Sequence, residues 1–184
     1  MKRTHHIHGV GLLILLAMVL PSCDGCGEKP APPSKVETTR TVETEHWRMK
    51  IPAHWQERKP GVYAGPDRAN VAVVVREVPL PVKLLTESVK ADLQRAHPDL
   101  VLDVERGLTL GDLSAYELRG RFTSRGGKAV VLHQVVVEGG ARKYILTFSV
   151  LASLYPENRV DFDRITASFR GTMYPLQAPP AVTP

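Results

Sequence analysis

Between residues 46 and 152 apolar and polar positions alternate in short blocks, the signature of half-buried strands. Trp47, Met49 and Ile51 alternate with His46, Arg48 and Lys50, which predicts a first strand stopped by Pro52. Residues 62–64 form a short second strand. Residues 71–78 are a continuous run rich in Val, suited to an interior strand covered on both faces, and Pro79 and Pro81 end it. Four further strands are predicted at 102–110, 113–122, 129–138 and 143–152. They are separated by Gly111-Asp112, Arg125-Gly126-Gly127 and Gly139-Gly140. Turns this short imply antiparallel neighbours, so these strands form a meander. In the second of the four, Tyr116, Leu118, Gly120 and Phe122 share one face, and Glu117, Arg119 and Arg121 are expected to face water.

Two segments change period from strand to helix. Val82, Leu85, Val89, Leu93 and Ala96 lie three or four residues apart, one stripe of a helix. Thr86 is the expected N-cap, Val82 and Leu85 belong partly to the lead-in, and Pro98 closes the helix by disfavouring helical geometry at His97. A final helix is expected after Tyr155, with Pro156 in its first turn and Phe162, Ile165 and Phe169 as its buried stripe. The order β-β-β-α-β-β-β-β-α predicts an α+β fold: an antiparallel sheet, largely a meander, with helices packed on it.

The hydropathy pattern at the N-terminus is of another kind. Lys2 and Arg3 precede an apolar run over residues 9–20, of signal-peptide rather than membrane-spanning length. Leu20-Pro21-Ser22-Cys23 follows and resembles a bacterial lipobox, with Pro21 departing from the usual residue at its position. Residues 1–22 are therefore expected to be a lipoprotein-type signal peptide and Cys23 the lipidated residue. Simple secretion and an uncleaved anchor helix are the alternatives, and all three place the remainder outside the cytoplasm. Asp24 resembles an inner-membrane retention signal, which leans the expected location towards an inner membrane. Residues 23–42 form a tether whose Lys29-Pro30-Ala31-Pro32-Pro33 run cannot bury a core. The folded domain is expected at 43–171 and a disordered Pro-rich tail at 172–184.

Composition adds limits. The chain has 184 residues, room for one domain plus a leader, and a formal charge of +5. Setting aside Lys2 and Arg3 leaves 22 basic and 19 acidic residues, an excess too small for a nucleic-acid binder. Cys23 and Cys26 are the only two cysteines. A Cys-x-x-Cys pair suggests redox or zinc chemistry, but no second ligand pair lies nearby and the lipobox claims Cys23. His5, His6 and His8 fall in the leader.

Several local motifs together resemble the PsbP/DcrB-like family, which shares its fold with a nuclear-import factor that binds the Ran GTPase. Met49-Lys50-Ile51-Pro52-Ala53-His54-Trp55 is similar to the family's opening strand and Pro-x-x-Trp turn. Thr86-Glu87-Ser88-Val89 resembles the start of its first helix, and Gly140-Ala141-Arg142-Lys143-Tyr144-Ile145-Leu146-Thr147-Phe148 its Tyr-x-Leu-Thr strand. Phe162-Asp163-Arg164-Ile165-Thr166-Ala167-Ser168-Phe169-Arg170 resembles its closing helix. The resemblance covers about residues 44–170. It implies an α-β-α sandwich around a curved antiparallel sheet, and a role in binding or stabilising other macromolecules rather than catalysis. It supplies no catalytic residue and no cofactor.

Residue chemistry points the same way. His46, His54, His97 and His133 show no metal-ligand spacing. His133, set among valines, reads as a packed histidine. Asp99, Asp103 and Glu105 lack the order of a calcium loop. There is no Gly-x-Ser-x-Gly elbow and no phosphate-binding Gly-rich loop. His54 and Trp55 are candidates for part of a binding pocket, with packing of Trp55 the alternative. The basic hairpin of Arg119, Arg121, Arg125 and Lys128 is a candidate surface for an acidic partner or anionic lipid, with a solvated sheet face the alternative. The leading expectation is a non-enzymatic envelope lipoprotein, held to the membrane through Cys23, that binds or stabilises an envelope protein complex. A small-ligand or lipid carrier with a cavity lined by Trp55, Tyr116 and Phe148 is the second reading, and an envelope enzyme the third.

Overall fold

The computed structural model describes residues 38–172. The leader, Cys23, Cys26, most of the tether and the tail from 173 onward lie outside the described residues. Among the described residues ten strands form two antiparallel sheets, accompanied by two α-helices. The chain runs β1 (Thr39–Glu43), β2 (Trp47–Pro52), β3 (Gln56–Lys59), β4 (Val62–Ala64), β5 (Asn70–Glu77) and α1 (Val82–Ala96). It continues through β6 (Val101–Leu110), β7 (Leu113–Thr123), β8 (Ala129–Gly139), β9 (Arg142–Leu151), α2 (Tyr155–Ser168) and β10 (Arg170–Gly171).

The large sheet has the order β3-β4-β5-β9-β8-β7-β6 and the small one β1-β2-β10. The expected meander is present as β6 to β9. Its three hairpins turn through Gly111, Gly127 and Gly140 at φ of 61°, 72° and 73°, backbone that a side chain would strain. The β7–β8 turn sets Arg119 opposite His133, and β8–β9 sets His133 opposite Phe148.

Each face of the large sheet is covered. On one face α1 lays Leu85 and Val89 on Leu118, Val136 and Ile145. On the other, Phe162 and Ile165 of α2, with Phe169, join Met49, Ile51, Trp55, Leu146 and Phe148 in the main core. The Phe162 ring lies 4.9 Å from that of Phe148 and 6.3 Å, edge-on, from that of Trp55. Burying a side chain of this size stabilises the fold by about 1.5–3 kcal/mol. Gly65 makes room for the indole, because a Cβ there would sit 2.3 Å from Trp55 Cε2.

Four features depart from the expectations above. The fold begins in the stretch assigned to the tether: Thr39–Glu43 pairs with β2 from Thr39↔Pro52 to Glu43↔Arg48, and Val42 is buried. Two short strands without a hydrophobic signature, β3 and β10, are held by backbone pairing to β4 and β2. Helix α1 starts at Val82, not after Thr86; Pro81 is its cap residue, and Thr86 is a buried interior residue whose hydroxyl donates to Val82 O at 2.8 Å. Glu117 and Arg119 do not point freely into water: Glu117 is buried against His133 and Arg106, and Arg119 is half-buried beside Tyr155 at the start of α2.

Candidate functional site

Strand parity puts Glu117 and Arg119 of β7 on the same face as His133 of β8, and this produces a polar strip beside the main core. Glu117 is 5% exposed and His133 3%. Glu117 Oε1 lies 3.1 Å from His133 Nε2, and Arg106 Nε of β6 donates to Glu117 Oε2 at 2.7 Å. His133 first, and Arg106 after it, hold the Glu117 carboxyl down at about 2 against the opposing effect of burial. The imidazole packs 5.4 Å from the Phe148 ring; its buried Nδ1 has no partner, and the 3.1 Å approach of Nε2 to Glu117 is a charge contact without hydrogen-bond geometry. Next to this pair Arg119 donates from Nε to Asp103 at 3.3 Å and from Nη1 to the Tyr155 hydroxyl at 3.1 Å. Its guanidinium carbon is 5.7 Å from the centre of the Tyr155 ring.

The strip binds β6, β7, β8 and the start of α2 into one flank. A proton-transfer group must reach the proton it moves, within hydrogen-bond distance or through one water. Glu117 and His133 are shut away from solvent, and a carboxyl held near 2 stays ionised at neutral pH. The arrangement suits electrostatic organisation of the flank.

A second buried charge secures the opposite face. Lys143 of β9 is 2% exposed; its Nζ lies 2.5 Å from Glu138 Oε1 and also donates to Gly140 O. Glu138 Oε2 accepts from Val82 N at 3.1 Å. A strand carboxylate thus caps α1, satisfying one of the amides that a helix start leaves without an intrahelical partner.

The sequence-derived candidates scatter over this frame. His54 is exposed in the turn after β2, whereas Trp55 is 1% exposed and belongs to the core. The two therefore form no open pocket. Trp55 instead anchors β1, its carbonyl accepting from Arg40 Nη2 at 3.0 Å. Arg119 is half-buried in the polar strip, and Arg121, two residues on, is exposed. The cavity expected between Trp55, Tyr116 and Phe148 does not form: Trp55 and Phe148 lie in the core under α2, and Tyr116 packs under α1 across the sheet. Asp99, Asp103 and Glu105 go to three different partners, the Thr123 amide at 2.7 Å, Arg119, and Lys90 at 2.7 Å. A polar groove of about 410 Å³ opens at the small sheet, lined by Glu43, Thr44, Trp47, Arg48 and Arg170 among others.

Sequence reasoning passed over the Glu117–His133 contact and the Glu138 cap. A signal for the first was present: a β7–β8 turn centred on Gly126-Gly127 sets Arg119 opposite His133, one position from Glu117 on the same face. The Glu138 cap joins residues 56 positions apart and leaves no local mark.

An α+β chain with helices on both faces of a large antiparallel sheet, and a small sheet alongside, has a PsbP-like fold. No protein-family model and no curated protein sequence matches the chain. Solved structures do match. The cyanobacterial PsbP protein CyanoP of Synechocystis aligns at a TM-score of 0.57 and 15% identity, over 83% of this chain and 98% of that one. LpqN of Mycobacterium tuberculosis, involved in cell envelope biogenesis, aligns at 0.53 and 17% identity, over 75% and 92%. The Pseudomonas aeruginosa protein PA94, of unknown function, aligns at 0.52 and 15% identity, over 76% and 99%. At these identities the shared property is the fold.

Proposed function

We propose that the protein is a non-enzymatic lipoprotein of the bacterial cell envelope, anchored through an acylated Cys23, whose folded domain binds or stabilises an envelope protein complex. The observation that carries this reading is the order of segments along the chain. A basic start, an apolar run over residues 9–20, Leu20-Pro21-Ser22-Cys23 and a Pro-rich stretch lead directly into one folded domain. The fold supports it by analogy, since LpqN, with the same architecture, is involved in cell envelope biogenesis. The first described strand starts at Thr39. A chain of the intervening length reaches at most roughly 55 Å when extended, so the domain stays within reach of the membrane and of complexes embedded in it. The lean from Asp24 is towards an inner membrane, with the domain facing the periplasm.

Affinity capture of the tagged protein from crosslinked envelopes tests this function. The expected result is a reproducible set of envelope proteins enriched over an untagged control and depleted when Cys23→Ser releases the domain from the membrane. Capture of no envelope protein above the control contradicts the proposal.

A further inference from the structure

Five basic side chains on or beside the large sheet are matched to an acid: Arg106 to Glu117, Arg119 to Asp103, Lys90 to Glu105, Arg142 to Glu77 and Lys143 to Glu138. The β7–β8 hairpin is different. Arg121, Arg125 and Lys128 are all exposed, and among the described residues none of the three forms an ion pair. The hairpin is rigidly built. Ser124 N donates to Lys128 O at 2.8 Å, Gly127 N to Ser124 O at 2.9 Å, and Lys128 N to Ser124 Oγ at 3.2 Å. The acid at its root, Asp99, is engaged by the Thr123 amide, which holds that carboxyl below its usual range.

Directly opposite Arg121 in the β6–β7 register stands Val101, 70% exposed, the most exposed of the large apolar side chains in the described residues. Cations beside an uncovered apolar side chain are the combination that favours a membrane interface, where the charges meet phosphate and the apolar group enters the headgroup boundary. The β3–β4 hairpin also carries two cations, Arg58 and Lys59, but with Glu57 beside them and no exposed large apolar residue. From this combination we propose that the tip of the β7–β8 hairpin, with Arg121, Arg125, Lys128 and Val101, is the surface that the domain lays against anionic phospholipid headgroups. The inference deepens the functional reading above and rests on it for proximity to a bilayer. It gives the tethered domain a fixed orientation, with one end on the membrane and the small sheet and its groove turned away from it.

The test uses the chain from residue 23 to 184 with Cys23→Ser, so that no acyl group contributes and the outcome is independent of whether Cys23 is lipidated. Co-sedimentation is measured with phosphatidylcholine vesicles and with the same vesicles containing phosphatidylglycerol, at low and at physiological salt. Binding is expected only with the anionic lipid and should weaken with salt. The triple variant R121A/R125A/K128A should bind on the order of 100-fold more weakly, about five-fold per cation. R58A/K59A, which removes charge from the other hairpin, should stay near the parent, and V101S should weaken binding without altering its salt dependence. The altered positions are exposed, and an unchanged thermal melt confirms folding. R125E/K128E, confined to the tip, provides a second reading if the triple variant melts early. Equal binding to both vesicle types, no binding to either, an undiminished triple variant, or equal loss per charge in R58A/K59A overturns the proposal. Capture by immobilised polyglutamate without any vesicle binding also overturns it, and assigns the hairpin to an acidic protein.

Discussion

Replacing Glu117 by Gln keeps the shape of a buried side chain and removes the charge that His133 and Arg106 share. The Glu117 carboxyl is lowered from 4.5 to about 2, chiefly by His133. A displacement of that size corresponds to about 3 kcal/mol of preference for the ionised form in the fold. Arg106 is 69% exposed, so its share is screened by solvent, and a net loss of about 2 kcal/mol is expected for E117Q at neutral pH. The sign with pH follows from linkage. A carboxyl whose folded value is depressed contributes stability above its unfolded value, and that contribution is lost as pH falls towards the folded value. The wild-type protein should therefore lose this increment between about pH 5 and about pH 2. E117Q should start lower and show a shallower decline over the same window. Urea denaturation at several pH values, read by Trp fluorescence, gives both curves. Parallel curves separated by a constant amount would refute the reasoning, because the buried carboxylate would then contribute nothing that titrates.

Three further substitutions probe the frame. Gly65→Ala places a Cβ 2.3 Å from an indole carbon that Phe162 already confines, and should cost about 1–3 kcal/mol in urea denaturation with a changed Trp emission. Glu138→Ala strips the buried Lys143 of its carboxylate and Val82 N of its cap, and should cost about 3–5 kcal/mol; adding Lys143→Met should recover part of that loss. Gly120→Ala drives a Cβ to 2.5 Å from Val101 O, so hydrogen exchange should rise at the start of β6 while β8 and β9 keep their protection.

The parts of the fold that were legible are those in which local chemistry and the final structure agree. Gly111, Gly127 and Gly140 each take the positive φ that a tight hairpin needs, so the meander could be read from them. Val82, Leu85, Val89 and Leu93 bury one side of α1 because their spacing sets them in a single stripe. What was not legible depends on pairing at a distance. Thr39–Glu43 contains one apolar side chain, Val42, and becomes a strand because β2 offers an edge. The start of α1 is set by Glu138 on β8 rather than by Thr86. The grouping of Glu117 with Arg119 on one face was correct, but their exposure was not, since His133 and Arg106 from the neighbouring strands close over Glu117 and Tyr155, at the start of α2, meets Arg119. Tyr116 and Phe148 were placed around one cavity because period alone does not relate the faces of strands that are not adjacent. The β7–β8 and β8–β9 registers put them on opposite sides.

Acylation of Cys23 is the step on which membrane anchoring depends. Mass spectrometry of the intact protein and its N-terminal peptide, after expression in a bacterial host, reads the modification directly, with Cys23→Ser as the control. The expected result is a chain beginning at Cys23 and carrying two or three acyl chains, absent from the control. A chain that retains residues 1–22, or begins at an unmodified residue, would contradict the membrane-anchored reading.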